Sequence, residues 1–118
     1  MQISIFLVGL AFLGMGMAAF WKPSFILGIF GGDANTPCMR NEVRGVYGGF
    51  GVTMAFCLIF INFFPLDVRQ GLILGIALAL FGMAAGRLIG FILERTKKWP
   101  VVFLLAELVG AVALMGAL

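Results

Sequence analysis

Histidine is absent from this chain of 118 residues, and charge of either sign is scarce. Without histidine the commonest general base and metal ligand is missing. Cysteine is also sparse: Cys38 and Cys57 stand alone, with no CxxC spacing to suggest a zinc site or thioredoxin-like redox chemistry. Neither a metal nor a cofactor is therefore expected. Only 11% of residues are charged, too few to cover a soluble domain with polar surface. The net charge of +3 is spread over separate loops and forms no basic face, so nucleic acid is not an expected partner.

What fills the chain is apolar. Hydrophobic residues make up 63%, and there are 17 glycines where average usage gives roughly 8. Lipid is the natural solvent for such a chain, and one domain over residues 1–118 is expected. Four long apolar segments predict membrane-spanning helices at about residues 3–20, 37–64, 68–93 and 100–117. The runs are continuous and do not alternate, which favours helices over a barrel. The fold class expected is therefore all-α, an integral membrane four-helix bundle. The first segment, MQISIFLVGLAFLGMGMAAF, lacks the positive start of a signal peptide, and its apolar run is long. It reads as a retained helix.

Local chemistry marks the boundaries. Thr36-Pro37 fits an N-cap followed by proline at the first helical position. Pro65 and Asp67 separate the second and third helices, and Trp99-Pro100 opens the fourth. Between the first two helices, FWKPSFILGIFGG is apolar but broken by Pro23 and a glycine pair and too short to span, and it predicts an interfacial or re-entrant half-helix. The loops after helices one and three carry Lys22, Arg40, Arg44, Arg95, Lys97 and Lys98, whereas the opposite side has Arg69 alone. The positive-inside rule places the first set in the cytoplasm and both termini on the other side.

Two charges remain inside apolar runs. Arg87 and Glu107 each lie ten positions from Lys97, so a turn centred there sets them at one depth. At ~1.5 Å per residue that depth is roughly 10–15 Å below the loop, within hydrocarbon. Unpaired charge there is costly, so the two are expected to pair. The same depth matching across the second hairpin adds Arg44, with Glu42 and Tyr47 nearby. Glu42, Arg44, Tyr47, Arg87 and Glu107 thus form one candidate cluster, either an ion-pair network fixing helix register or a site for an anionic headgroup, carboxylate or phosphate. Glycines spaced by four supply the packing candidates: Gly71 and Gly75, then Gly82, Gly86 and Gly90, in the third helix, and Gly45 and Gly49 in the second, with Gly48 and Gly51 beside them. Packing inside the bundle is the expected role of these small residues, and a dimer seam or a ligand approaching bare backbone is the alternative.

The segments RNEVRGVYGGFG (Arg40 to Gly51), GRLIGFIL (Gly86 to Leu93) and LLAELVGA, with its late glutamate, resemble the domain of unknown function 4345 family. The resemblance spans nearly the whole chain. It implies a small four-helix integral membrane protein of a mostly bacterial family, for which the inner membrane is the expected location, and it groups Glu42, Arg44, Tyr47, Gly48, Gly49, Arg87 and Glu107. It implies no activity.

The residues favour a non-enzymatic role over a membrane enzyme acting on a lipid or quinone with Glu107 or Tyr47 as acid or base, since an arginine-neutralised glutamate is a poor proton donor. One form is binding of a lipid-like or anionic amphipathic ligand; another is a small subunit of a membrane complex. Membrane lipids, a second copy of the chain or a larger membrane assembly are the expected partners. The alternative is an oligomeric proton- or ion-coupled transporter working through Glu107, since a buried carboxylate without a full partner can carry a proton.

Overall fold

The computed structural model describes residues 2–96 and 98–118. Lys97, on which the expected turn is centred, lies outside the described residues. All regular structure among them is helical: α1 (Gln2–Trp21), α2 (Pro23–Ile29), α3 (Pro37–Val43), α4 (Phe50–Ile59), α5 (Leu66–Leu93) and α6 (Lys98–Met115). A π-helical stretch, Arg44–Gly49, joins α3 to α4, and a short 3-10 turn, Ile61–Phe63, follows α4. Three helices, over Ile3–Trp21, Leu66–Leu93 and Lys98–Met115, are long and apolar enough to cross a membrane. By packing, the chain forms two compact units, Phe6–Ile61 and Met1–Ile5 with Asn62–Leu118.

In the Phe6–Ile61 unit, α1 ends because Lys22 precedes a proline. Proline disfavours the helical conformation in the residue before it, and Lys22 adopts φ −141°, ψ 80°. Pro23 then opens α2, whose seven residues reach only about 10 Å. A Schellman-type stop closes α2: Gly32 N donates to Leu27 O at 2.8 Å and Gly31 N to Gly28 O at 3.1 Å. Gly31 makes this possible with φ 82°, a conformation that favours glycine. Past the loop, the Thr36 hydroxyl oxygen accepts from Met39 N at 3.1 Å and caps α3, with Pro37 at the first helical position. Ala19, Ile26 and Val43 form the core here, with Ala18, Leu27 and Tyr47 packed on it.

The second helix differs from the uniform rod expected over 37–64. Its backbone stays right-handed helical through Val43, Arg44, Gly49 and Phe50, so the path from Pro37 to Ile59 is continuous. Within it, however, RGVYGG widens into the π form. Three of those six residues are glycine, which leaves little side-chain bulk to oppose the wider turn. The helix stops at Ile59 because Phe60 leaves the helical region at φ −100°, ψ 25°, before the 3-10 turn and Pro65.

Close backbone approach in this unit depends on Gly16 and Gly51. A Cβ on Gly16 would lie 2.8 Å from Val52 N and 2.9 Å from Gly48 O. Of the glycines read as packing residues, Gly48 does face a neighbour: a Cβ there would lie 3.1 Å from the Phe20 ring. Gly45 faces open space, and a Cβ on Gly49 would meet only the Arg44 carbonyl, at 3.8 Å.

In the other unit, α5 and α6 form an antiparallel hairpin. Ile73, Ile76, Ala77, Leu80 and Ala84 of α5 are buried, as are Ala111 and Leu114 of α6. The α5 glycine stripe does not face α6. Gly71, Gly75, Gly82, Gly86 and Gly90 have nothing within 4 Å of a built Cβ, so they do not seat a helix of this unit. The reason is angular. At about 100° per residue the large residues Ile73, Ile76 and Leu80 take one face of α5, and the glycine stripe falls on the flank away from it.

Candidate functional site

Glu107 is the one buried charged residue among those described. It faces α5 because α6 places Ala111 and Leu114, one and two turns on, against the same neighbour. Arg87 Nε donates to Glu107 Oε1 at 2.7 Å, a length at the short end for a charge-assisted bond. The glutamate side chain is 8% exposed and the arginine 23%. Phe103, one turn before Glu107, presents its ring 5.4 Å from Arg87 Cζ, within cation–π range. The guanidinium is thus held between a carboxylate and an aromatic face on one helix. Phe103 was not singled out from the sequence, although its place four residues before an intramembrane glutamate on the same face is a usable signal.

The remaining cluster candidates belong to the Phe6–Ile61 unit, where they do not gather around a carboxylate. Arg44 Nε donates to Phe20 O at 3.3 Å. That carbonyl is in the last turn of α1, where helix carbonyls lack intrahelical donors, so Arg44 acts as a C-terminal cap. Gly48, four residues on, seats the Phe20 ring; Arg44 and Gly48 therefore hold one residue by its backbone and its side chain. Tyr47 is half-buried against the Ala19–Ile26–Val43 core. Glu42 is exposed. Arg40 Nη1 donates to Ala34 O at 3.0 Å, fastening the loop that precedes α3.

At the far end of α5, Arg69 Nη2 donates to Phe64 O at 3.3 Å. Cys38 is exposed and Cys57 half-buried, and both are free thiols. No group of three or more acidic, cysteine or histidine side chains is arranged to hold a metal among the described residues.

An all-α chain with three helices suited to crossing a membrane, and with a buried carboxylate bonded to an arginine, belongs to the class of small helical membrane proteins. More particularly, the chain belongs to the family described as domain of unknown function (DUF4345), which it matches over residues 1–118. No curated protein and no solved structure matches it.

Proposed function

We propose that the protein is a four-span integral membrane protein with a non-enzymatic role, binding a lipid-like or anionic amphipathic ligand. The fourth span in this reading runs from Pro37 through the 3-10 turn at Phe63, with Arg40 to Arg44 at the headgroups and roughly 25–30 Å of helix beyond them, enough to approach the thickness of the hydrocarbon core. The observation that carries the reading is how charge is distributed on an apolar exterior. Large side chains such as Leu78, Ile89, Ile92, Leu105, Val109 and Val112 are exposed along α5 and α6. The two charges within those runs, Arg87 and Glu107, are spent on each other. Surplus positive charge stands at the helix ends, where anionic headgroups lie. In this reading the protein sits in the bacterial inner membrane with its basic loops in the cytoplasm and both termini outside.

Native mass spectrometry of the detergent-extracted protein tests the proposal. Retained phospholipid, or a retained partner chain, is expected; a bare monomer would overturn both the ligand-binding reading and that of a subunit in a larger complex. The transporter reading keeps one supporting observation, the burial of Glu107, but the bond from Arg87 opposes use of that carboxylate as a mobile proton carrier. Proton-coupled flux in proteoliposomes that is lost in Glu107→Gln would favour transport instead.

A further inference from the structure

We infer that the end of α1, together with α3, forms a ledge that binds the phosphate-bearing headgroup of an anionic phospholipid, with Lys22, Arg40 and Arg44 as its cations and Trp21 as its apolar anchor. The inference rests on the membrane-embedded, ligand-binding reading above and names the ligand class and the residues.

Connectivity and two hydrogen bonds gather the three cations. Arg44 is tied to the Phe20 carbonyl, and Lys22 follows that carbonyl by two residues. Arg40 precedes Arg44 by one helical turn and is fixed to the Ala34 carbonyl. At about 100° per residue along α3, Arg44, the helical residue that caps it, falls about 40° from Arg40, while Glu42 falls about 200° away on the opposite side. Asp33 adjoins Ala34 in the loop and is exposed. Even with both carboxylates counted, the three cations leave an excess of positive charge.

The apolar half of the ledge is equally exposed. Trp21 is 87% exposed at the end of a membrane-length helix, the position where tryptophan sits at headgroup level. Phe25 on α2, four residues on, is exposed, as is Met39 on α3, next to Arg40 in the chain. Burial of Pro23 and Ile26 fixes α2 to its unit by one face and leaves Phe25 outward. A short helix with outward aromatics next to lysine and arginine is the arrangement that binds an anionic membrane surface. The π turn contributes by geometry. It holds about one residue more than an α turn, which rotates α3 by about 100° relative to α4 and sets the direction in which Arg40 and Arg44 leave the rod.

The test titrates the purified full chain in detergent with phosphatidylglycerol or phosphatidylcholine, counting bound lipid by native mass spectrometry. Wild type is expected to prefer phosphatidylglycerol. Each ledge cation is worth about fivefold in affinity, so Lys22→Gln/Arg40→Gln should bind about 25-fold less tightly. Arg95→Gln/Lys98→Gln, with the same change in net charge but outside the ledge, should lose clearly less than the ledge variant does. Lys22→Gln alone leaves both arginine–carbonyl bonds in place and should still lose about fivefold, which covers the case in which the double variant does not fold. Excess inorganic phosphate should not displace the lipid.

Unchanged binding in the Lys22 variants, equal loss in the Arg95/Lys98 control, or displacement by inorganic phosphate would overturn the ledge. Equal wild-type retention of the two lipids would overturn the ledge alone. Wild type that retains neither lipid would overturn the ledge and the underlying lipid-binding reading together.

Discussion

Gly51 and Gly16 meet backbone to backbone: a Cβ on Gly51 would lie 3.0 Å from Gly16 Cα and 3.0 Å from Phe12 O. Backbone on both sides has no rotamer to change, so a methyl group there must push α1 and α4 apart. Gly51→Ala and Gly16→Ala are expected to destabilise the protein by about 1–3 kcal/mol. Gly48→Ala should cost less, because its new methyl would meet the Phe20 ring, which can shift. Gly75→Ala, with open space around its Cβ, should be neutral or slightly stabilising. Denaturant or thermal unfolding in detergent orders the four variants. Equal losses at Gly51 and Gly75 would show that the close approach does not hold the helices.

The Arg87–Glu107 bond makes an asymmetric prediction. Removing one partner strands the other charge in an apolar surround, which costs about 3–5 kcal/mol for buried pairs. Arg87→Leu leaves the more buried member, Glu107, alone and should therefore be the worst of the set. Replacing both by leucine removes the stranded charge, so the double variant should recover most of the loss. Phe103→Leu removes only the aromatic contact and should cost about 0.5–2 kcal/mol. A double-mutant cycle read by unfolding in detergent checks all three; additive losses at Arg87 and Glu107 would show that the bond contributes nothing.

These two sites also show how much the sequence disclosed. Arg87 and Glu107 were legible as a pair because a hairpin register needs only the turn's position and a rise per residue. The Thr36-Pro37 start and the paired glycines after α2 were legible for a similar reason, since each is settled within a few neighbouring residues. Gly16 was not picked out, and Gly51 was named only as a neighbour of Gly45 and Gly49, because the value of a glycine depends on which helix crosses it and where. The α5 stripe shows the converse: a spacing of four puts small residues on one face but does not say what that face meets. The π turn at Arg44–Gly49 was equally hidden, since α and π forms use nearly the same backbone angles and glycine permits both. Arg44 was read as a charge seeking a carboxylate; the α1 carbonyl it found carries no side-chain signature.

At the start of α3 the cap is a single hydrogen bond, Met39 N to the Thr36 hydroxyl. Thr36→Ala is expected to cost about 1 kcal/mol, and Thr36→Ser should retain most of the stability because it keeps the accepting oxygen. Hydrogen exchange at Met39 reads the effect locally, since its amide loses its partner in the alanine variant alone. Unchanged exchange in Thr36→Ala would mean that the cap is not formed in the membrane. Because Arg40 lies one residue beyond Met39 and is fastened to the preceding loop, fraying here should also loosen the Arg40–Ala34 bond.

The proposed orientation can be read from a native thiol. Cys38 is exposed and lies between Lys22 and Arg40 in the chain, on the side that the positive-inside rule assigns to the cytoplasm. Cys57 lies within α4 and is half-buried, and Cys57→Ala removes it as a competing target. In that background, a membrane-impermeant maleimide is expected to label Cys38 in inside-out vesicles and to leave it unlabelled in spheroplasts. A cysteine placed at Gly116, exposed near the end of the chain, should show the opposite pattern, because one span separates it from the Arg95–Lys98 loop. Labelling of Cys38 from outside the cell would reverse the topology. The ledge at Lys22, Arg40 and Arg44 would then face the outer leaflet, and the cytoplasmic surface potential could not be its source of attraction.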